Sequence, residues 1–483
     1  MYGYFKKVHK SVVASICFTL LLNGRPVLQS NRFSPTCCNM AHRLLCLSIA
    51  LFFCALPLFS QNPALYFPPK TGTAWQTIAP ASLGFCAERV DSLYHFLATK
   101  NTKSFLLLQD GKIVLEKYFG TYVQDSVWYW ASAGKSLTAF LVGQAQEEGL
   151  VDIDDATSTY LGPGWTSCTP EQENAITLRH QLTMTTGLDD TPTPASPDAN
   201  LCTDPACLQY LAAPGTRWAY HTGPYRLLQD VIAEASGLTI NQFTKTRVLD
   251  RVGMKGFWFQ DVQYGRARDM ARYGLLIQAH GVWQGDTLLH DQQYFFDMTH
   301  PSQVLNKSYG YLWWLNGQPS FMLPSVQLVI PGKLIPNAPN DMFSALGKND
   351  QKIHVVPSKG WVVVRQGNSA GYTNGAGNEV PISFDNDLWD YLNKLTCAAT
   401  TTQEVTDYQV RVFPNPTTNG WQIASKVAME RMEIFNAQGR LTASLALNGA
   451  TSFWVNAAEL PEGVYLAKVF AAGKVRWAKL MKR

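Results

Sequence analysis

Ser132 and Lys135 stand three residues apart, with Ala133 and Gly134 between them. On a helix that spacing puts a hydroxyl and an amine on one face. An amine so placed can take the hydroxyl's proton, which makes a serine nucleophilic without a histidine. The residues behind the pair position it. Leu137, Phe140, Leu141 and Ala145 recur at helical spacing, and Gly149 offers a stop, so an amphipathic helix is expected. Ser132 should sit in its first turn, where the positive end of the helix dipole favours a developing oxyanion. S-x-x-K is also the pattern of a capping serine followed by a surface lysine. The tetrapeptide therefore takes its meaning from what accompanies it.

The accompanying motifs come in a definite order. Trp128-Tyr129-Trp130-Ala131 leads into the pair, and Gly149-Leu150-Val151-Asp152 closes the run. Ile176-Thr177-Leu178-Arg179-His180-Gln181-Leu182-Thr183-Met184-Thr185-Thr186-Gly187-Leu188 follows, then Pro214-Gly215-Thr216-Arg217-Trp218-Ala219-Tyr220. Tyr309-Gly310-Tyr311-Leu312-Trp313-Trp314 and Val355-Val356-Pro357 complete the series. Together they resemble the serine β-lactamase and penicillin-binding-protein-like hydrolase superfamily, in particular its class C-like branch of esterases and 6-aminohexanoate-oligomer hydrolases. The resemblance covers residues 80–397. It implies an α/β fold of the β-lactamase/transpeptidase type, an antiparallel sheet flanked by helices and built from both chain ends, with a helical subdomain. It also implies a secreted serine hydrolase that cleaves an ester or amide through an acyl-enzyme on Ser132, with no metal and no organic cofactor. A β-lactamase or D-amino-acid peptidase is the alternative within this class. A catalytically silent surface-binding protein is the alternative outside it.

The resemblance also assigns roles. Its Tyr-x-Asn motif falls on Tyr220-His221-Thr222, so Tyr220 is expected to relay a proton between Ser132 and the leaving group. A tyrosine begins near pKa ~10 and needs help from a neighbouring cation. Lys135 supplies that field if it stays protonated; if burial neutralises it, Lys135 is itself the base. Thr222 replaces the family's asparagine. A hydroxyl can accept from Lys135 but lacks the amide that both donates and accepts, which puts recognition of the acylamide arm of penicillins in doubt. The third motif, a Lys-Thr-Gly or His-x-Gly strand, matches Ala345-Leu346-Gly347. Gly347 is then the motif glycine, and the Lys348 N–H joins that of Ser132 as an oxyanion hole. Ala345 carries no charge where the family has one, and Asp350 stands where it could crowd the site. A polar hairpin turn explains this stretch equally well.

Gly367-Asn368-Ser369-Ala370-Gly371 matches the G-x-S-x-G nucleophile elbow. No helix is expected after it, and the last histidine, His354, lies upstream, so the Ser…Asp…His order of that fold is impossible. Ser369 reads as loop.

Composition agrees with a globular enzyme. The chain has 483 residues, 46% hydrophobic and 16% charged, with a formal net charge of +4. That is enough to bury a large core and too little charge for nucleic acid. At the N-terminus, residues 11–22 and 44–58 are apolar runs behind basic residues, each shorter than the ~20 residues of a membrane span. The second reads as a signal peptide with a cleavage region at 60–62. Met40 is the expected start, with 1–39 an over-extended reading frame; a single unusual leader is the alternative. The signal peptide would touch the membrane only transiently. Cys54 follows Phe52-Phe53 rather than small residues, so no lipid anchor is expected. The domain reading is a leader over 1–60, an extension over 61–79, the hydrolase over 80–397, a polar linker over 398–407 and a C-terminal β-domain over 408–483. Cys202 and Cys207 could close a short loop. Cys86 and Cys397 lie near the two ends of the hydrolase domain, whose terminal helices pack together in the family, leaving Cys168 free.

Strand-like segments at 408–413, 429–435, 441–447, 453–455, 464–470 and 475–481, separated by turn signals that include Asn448-Gly449, suggest a small β-sandwich. Val412-Phe413-Pro414-Asn415-Pro416, Gly463-Val464-Tyr465-Leu466 and Lys479-Leu480-Met481-Lys482 resemble the C-terminal sorting domain of the type IX secretion system. This resemblance implies export across both membranes to the surface or medium and a partner in that machinery. A carbohydrate-binding or adhesive sandwich is the alternative. The remaining partner expected is a small-molecule or peptide-like ester or amide substrate.

Overall fold

The computed structural model describes residues 65–191, 200–372, 381–397, 410–471 and 474–483. The leader and the 398–407 linker lie outside the described residues.

The sheet of the larger domain begins with β1 (Thr102–Gln109) and β2 (Lys112–Tyr118). Asp110-Gly111 joins them with φ of 49° and 83°, the pair of positive φ values that a two-residue hairpin needs. The other strands come from the far end of the domain: β3 (Trp314–Leu315), β4 (Phe343–Gly347), β5 (Gln351–Val356) and β6 (Trp361–Gly367). The order is β2-β1-β6-β5-β4-β3, antiparallel throughout. The last strand thus lies beside the first, as the expected construction from both chain ends requires. Residues 65–79 run along β2, where Ile78 N–H donates to Ile113 O at 2.8 Å and Ile113 N–H to Gln76 O at 2.9 Å.

Strands β4, β5 and β6 are buried along their whole length because helices cover both faces. Helix α4 (Ala267–Gln278) covers one face. A Cβ at Gly274 would lie 2.4 Å from Val362 Cγ1, so glycine sets how closely this helix approaches. Side chains alternate across a strand, so Trp361 and His354 face the other way. There they meet α5 (Pro381–Asn393) through Trp389. Helix α1 (Ala87–Thr99) lies beside α5, with Phe96 stacked on Phe384 and Tyr391. A polar seam is sealed under α5. Lys352 Nζ lies 2.8 Å from Asp385 and 3.3 Å from Asp350, and His354 lies between Ser344 and Asp385. Burial would raise the Asp385 carboxyl, but Lys352 and His354 outweigh it and hold it below the usual range.

The helix behind the Ser-Lys pair, α2 (Lys135–Glu147), is buried from Lys135 to Ala145 on all sides. Buried polar side chains on it bond inward: Ser136 to Ala133 O, Thr138 with the Tyr225 hydroxyl, and Gln144 Nε2 to Leu288 O. It packs against α3 (Thr222–Ser236). Disulfides join Cys86 to Cys397 and Cys202 to Cys207, and Cys168 is the free thiol among the described residues. Beside the first bridge, Cys86 N–H donates to Leu395 O and Cys397 N–H to Gly84 O.

The C-terminal strands are β7 (Val410–Phe413), β8 (Gly420–Asn436), β9 (Leu441–Asn456), β10 (Gly463–Ala471) and β11 (Lys474–Lys482). They form one antiparallel sheet rather than two stacked ones. Strand β8 pairs with β7, β9 and β10, and β10 pairs with β11. Register shifts near Met429 bend β8, so the sheet curls around Trp421, Ile423, Met432, Tyr465, Val469 and Leu480. Asn448-Gly449, expected as a turn, is a kink inside β9 with φ of 45° and 82°. Asn415 bonds to the outer edge of β11, donating to Lys479 O and accepting from Met481 N–H, both at 2.7 Å.

Candidate active site

The chain enters the site through a two-residue strand, Trp128–Tyr129, after which Trp130 N–H donates to Gln263 O at 2.8 Å. Ala131 then takes φ of 48°, a left-handed conformation uncommon outside glycine, and starts a tight turn over Ala131–Gly134. Ser132 rides on that turn, just ahead of α2 instead of inside its first regular turn. The expected pairing is present, with Lys135 Nζ 2.9 Å from Ser132 Oγ. Lys135 is 2% exposed. The rings of Tyr225 and Tyr220 lie 4.4 and 5.0 Å from its nitrogen. Burial, followed by the positive charge of Arg226, pulls its pKa from 10.5 down to about 7.

Tyr220 precedes α3 and lines the same cavity as Ser132. Burial pushes its phenol above its ordinary range, and the Ser132 hydroxyl offsets only part of the rise. At neutral pH it is a proton donor, not a phenolate. Trp314 stacks on its ring at 5.6 Å, and Tyr309 and Trp218 complete the aromatic cradle. The Thr-Gly-Leu motif supports this loop from behind. A Cβ at Gly187 would lie 2.1 Å from Ala212 O, in the segment leading to Tyr220.

Gly347 ends β4 against the serine turn. A Cβ there would lie 2.4 Å from Trp130 O and 3.0 Å from Ala133 N, so only glycine lets the strand end and the serine turn come so close. Lys348 follows, with its side chain exposed at the mouth. The turn continues through Asn349 and Asp350, both left-handed at φ of 59° and 60°. Arg365 fixes it by donating to Asn349 O and Asp350 O at 2.8 and 3.0 Å, and Asn349 Nδ2 donates to the Tyr129 hydroxyl.

Asp350 does not crowd the site. The left-handed turn carries its carboxylate behind the sheet, where it accepts from Ala370 N–H and faces Lys352. Ala345 is buried within β4 and leaves its position without charge. Thr222 occupies the first position of α3, half-buried. Among the described residues Lys135 bonds to Ser132 and not to Thr222. Ser369 lies in an irregular loop, its carbonyl accepting from Asn101.

Ser132, Tyr220, Gly347 and Lys348 line one cavity of about 170 Å³ together with Trp314, Leu323, Pro324, Leu346 and Ile382. The apolar lining and the through-space influence of Arg226 were not read from the sequence. Trp314 and Leu346 belong to recognisable motifs, whereas Leu323, Pro324 and Ile382 sit in segments with no motif at all.

Residues 102–284 match the model of the beta-lactamase family, and residues 411–483 match that of the secretion system C-terminal sorting domain. Over 162 residues the chain is 30% identical to a candidate penicillin-binding protein of Bacillus subtilis, covering 31% of this chain and 39% of that protein. It is 28% identical over 137 residues to a beta-lactamase of Escherichia coli, covering 28% and 35% of the two chains. An uncharacterised protein of Alkalihalophilus pseudofirmus matches more broadly, 23% identical over 56% of this chain and 85% of its own length. The chain thus spans well under half of the length of the first two relatives. Among solved structures, a candidate 6-aminohexanoate-dimer hydrolase from Bacillus anthracis superposes with a TM-score of 0.52 at 20% identity, over 69% of this chain and 91% of that one. A candidate beta-lactamase from Bacteroides dorei gives 0.52 at 16% identity, over 65% and 99%. The chain carries a domain that matches the beta-lactamase family and has the β-lactamase/transpeptidase fold, followed by a type IX secretion sorting domain, which indicates export.

Proposed function

We propose that the protein hydrolyses an ester or amide through an acyl-enzyme on Ser132. Lys135, in its neutral form, takes the Ser132 proton as the oxygen attacks the carbonyl carbon. The N–H groups of Ser132 and Lys348 receive the oxyanion. Tyr220, held protonated by burial, gives its proton to the departing alcohol or amine and is reprotonated from Lys135. Water then attacks the acyl-enzyme by the reverse proton route, releasing the acid and restoring the serine. The observation that carries this reading is a lysine nitrogen 2.9 Å from a serine oxygen in a buried setting that lowers the amine's pKa toward neutrality. Ester or short-amide hydrolysis ranks ahead of β-lactam or D-amino-acid peptide cleavage, because Thr222 and Ala345 replace the side chains that would grip the acylamide arm and the carboxylate. The hydrolase unit is taken as 80–397 and the sorting unit as 408–483, with a signal peptide over 40–60 starting export and the tail engaging the secretion machinery. A fluorophosphonate probe should label the wild-type protein and Ser369→Ala but not Ser132→Ala. Labelling that survives Ser132→Ala overturns the assignment, and a wild type that neither labels nor turns over esters is a silent binding protein.

A further inference from the structure

The cavity beside Ser132 is walled by Trp314, Leu323, Pro324, Leu346 and Ile382. Its polar groups lie at the end where the chemistry would occur: Ser132, Tyr220 and the Gly347-Lys348 backbone. Lys348 is the one ionisable side chain among those lining it apart from Tyr220, and it is exposed at the mouth. Two walls come from a hairpin in which Ser320–Phe321 pairs with Ile330–Pro331. The hairpin is tied in place, because Gln327 Nε2 donates to Trp218 O at 3.1 Å, two residues before Tyr220. The apolar wall and the proton-relay loop are therefore held together.

Resting on the serine-hydrolase reading above, we infer that this cavity takes an uncharged, apolar acyl group, a short alkyl chain or a phenyl ring, and that the site is an esterase or amidase site for such acyl groups. A charged or hydroxylated arm would lose its water against five apolar walls, and the one cation among the lining residues, Lys348, is exposed at the mouth, where water screens it. The volume suits a group of that size. An apolar cavity of about 150 Å³ is enough to hold benzene, and this one measures about 170 Å³. The acyl part is the occupant because it stays bonded to Ser132 through both half-reactions, whereas the leaving group must pass Tyr220 and depart.

The test uses the purified protein and p-nitrophenyl esters from acetate to decanoate, with the hemisuccinate as a charged analogue of butanoate and a parallel series of butanoate esters with alcohols of increasing length. The expected result is a kcat/KM that rises about three- to fourfold per methylene, the factor for burying one CH₂, and levels off once the cavity is full. The hemisuccinate should be slower than butanoate. Leu323→Trp should move the optimum to shorter acyl groups, and Leu323→Ser should flatten the rise. Ser132-dependent turnover with no dependence on acyl length, a preference for the hemisuccinate, or chain dependence in the alcohol series alone overturns the acyl assignment while leaving the hydrolase reading intact. Loss of all Ser132-dependent turnover removes both.

Discussion

If Lys135 receives the Ser132 proton, acylation must follow the neutral fraction of Lys135. With its pKa lowered to about 7, that fraction is about one-tenth at pH 6 and about nine-tenths at pH 8. kcat/KM should therefore climb about tenfold over that interval and then flatten. A lysine left at its ordinary 10.5 would give about a hundredfold climb over the same interval and no plateau. The Tyr220 phenol is pushed upward by burial, so the plateau should show no descending limb from its ionisation before strongly alkaline pH. Arg226→Gln removes the second cause of the Lys135 shift and leaves Asp261, its ion-pair partner, unneutralised. Both changes favour the ammonium, so the rising limb should move to higher pH. Stability should move the same way. Between about 7 and 10.5 the unfolded chain binds a proton at Lys135 that the folded chain does not, so this residue makes the protein more stable as pH rises through that window. Lys135→Met should lose that part of the slope. The assay is a stopped-flow or steady-state pH profile on a p-nitrophenyl ester, with thermal melts at matched pH. A rising limb centred above pH 9, a profile flat down to pH 5, or an Arg226→Gln limb displaced to lower pH would refute the assignment of Lys135 as the base.

Gly347→Ala should lower turnover by orders of magnitude and destabilise the domain by about 1–3 kcal/mol, the usual cost of overpacking, because its Cβ would meet Trp130 O and Ala133 N; a near-normal kcat would show that the serine turn tolerates displacement. Truncation after Cys397 should leave a folded hydrolase with unchanged kcat/KM, since the C-terminal sheet has its own core. Antibody fractionation of the native host should find the truncated form retained in the periplasm, and normal arrival in the medium would point to a binding role for the tail.

What was legible in the sequence was what local spacing or chain order encodes. Ser132 and Lys135 are read from a three-residue offset, and Tyr220 and Gly347 from motifs in series. The β-lactamase-type sheet built from both chain ends was implied by the family resemblance that those motifs carry, and in the structure β6 lies beside β1. What was not legible depends on direction in space. Asp350 stands where it could crowd the site, but two left-handed residues turn it behind the sheet. Leu323, Pro324 and Ile382 wall the cavity from segments whose local pattern has no period or motif. In the tail, Asn-Gly marks a hairpin turn or a strand kink with the same φ > 0 requirement. β9 uses it for a kink, and the long bent β8 turns an expected sandwich into one curled sheet.

The Cys86–Cys397 bridge has a mechanical consequence. It links points 311 residues apart in sequence, at the start of α1 and just past α5, with backbone hydrogen bonds joining the same two chain segments. A pull on the chain beyond Cys397, such as a secretion machine gripping the sorting tail would exert, passes through sulfur to Cys86. The load path therefore bypasses the intervening sheet, serine turn and cavity walls. A domain drawn out by its tail in this way would travel as a closed loop on a covalent ring, and cutting the tail away would leave its new end already fastened.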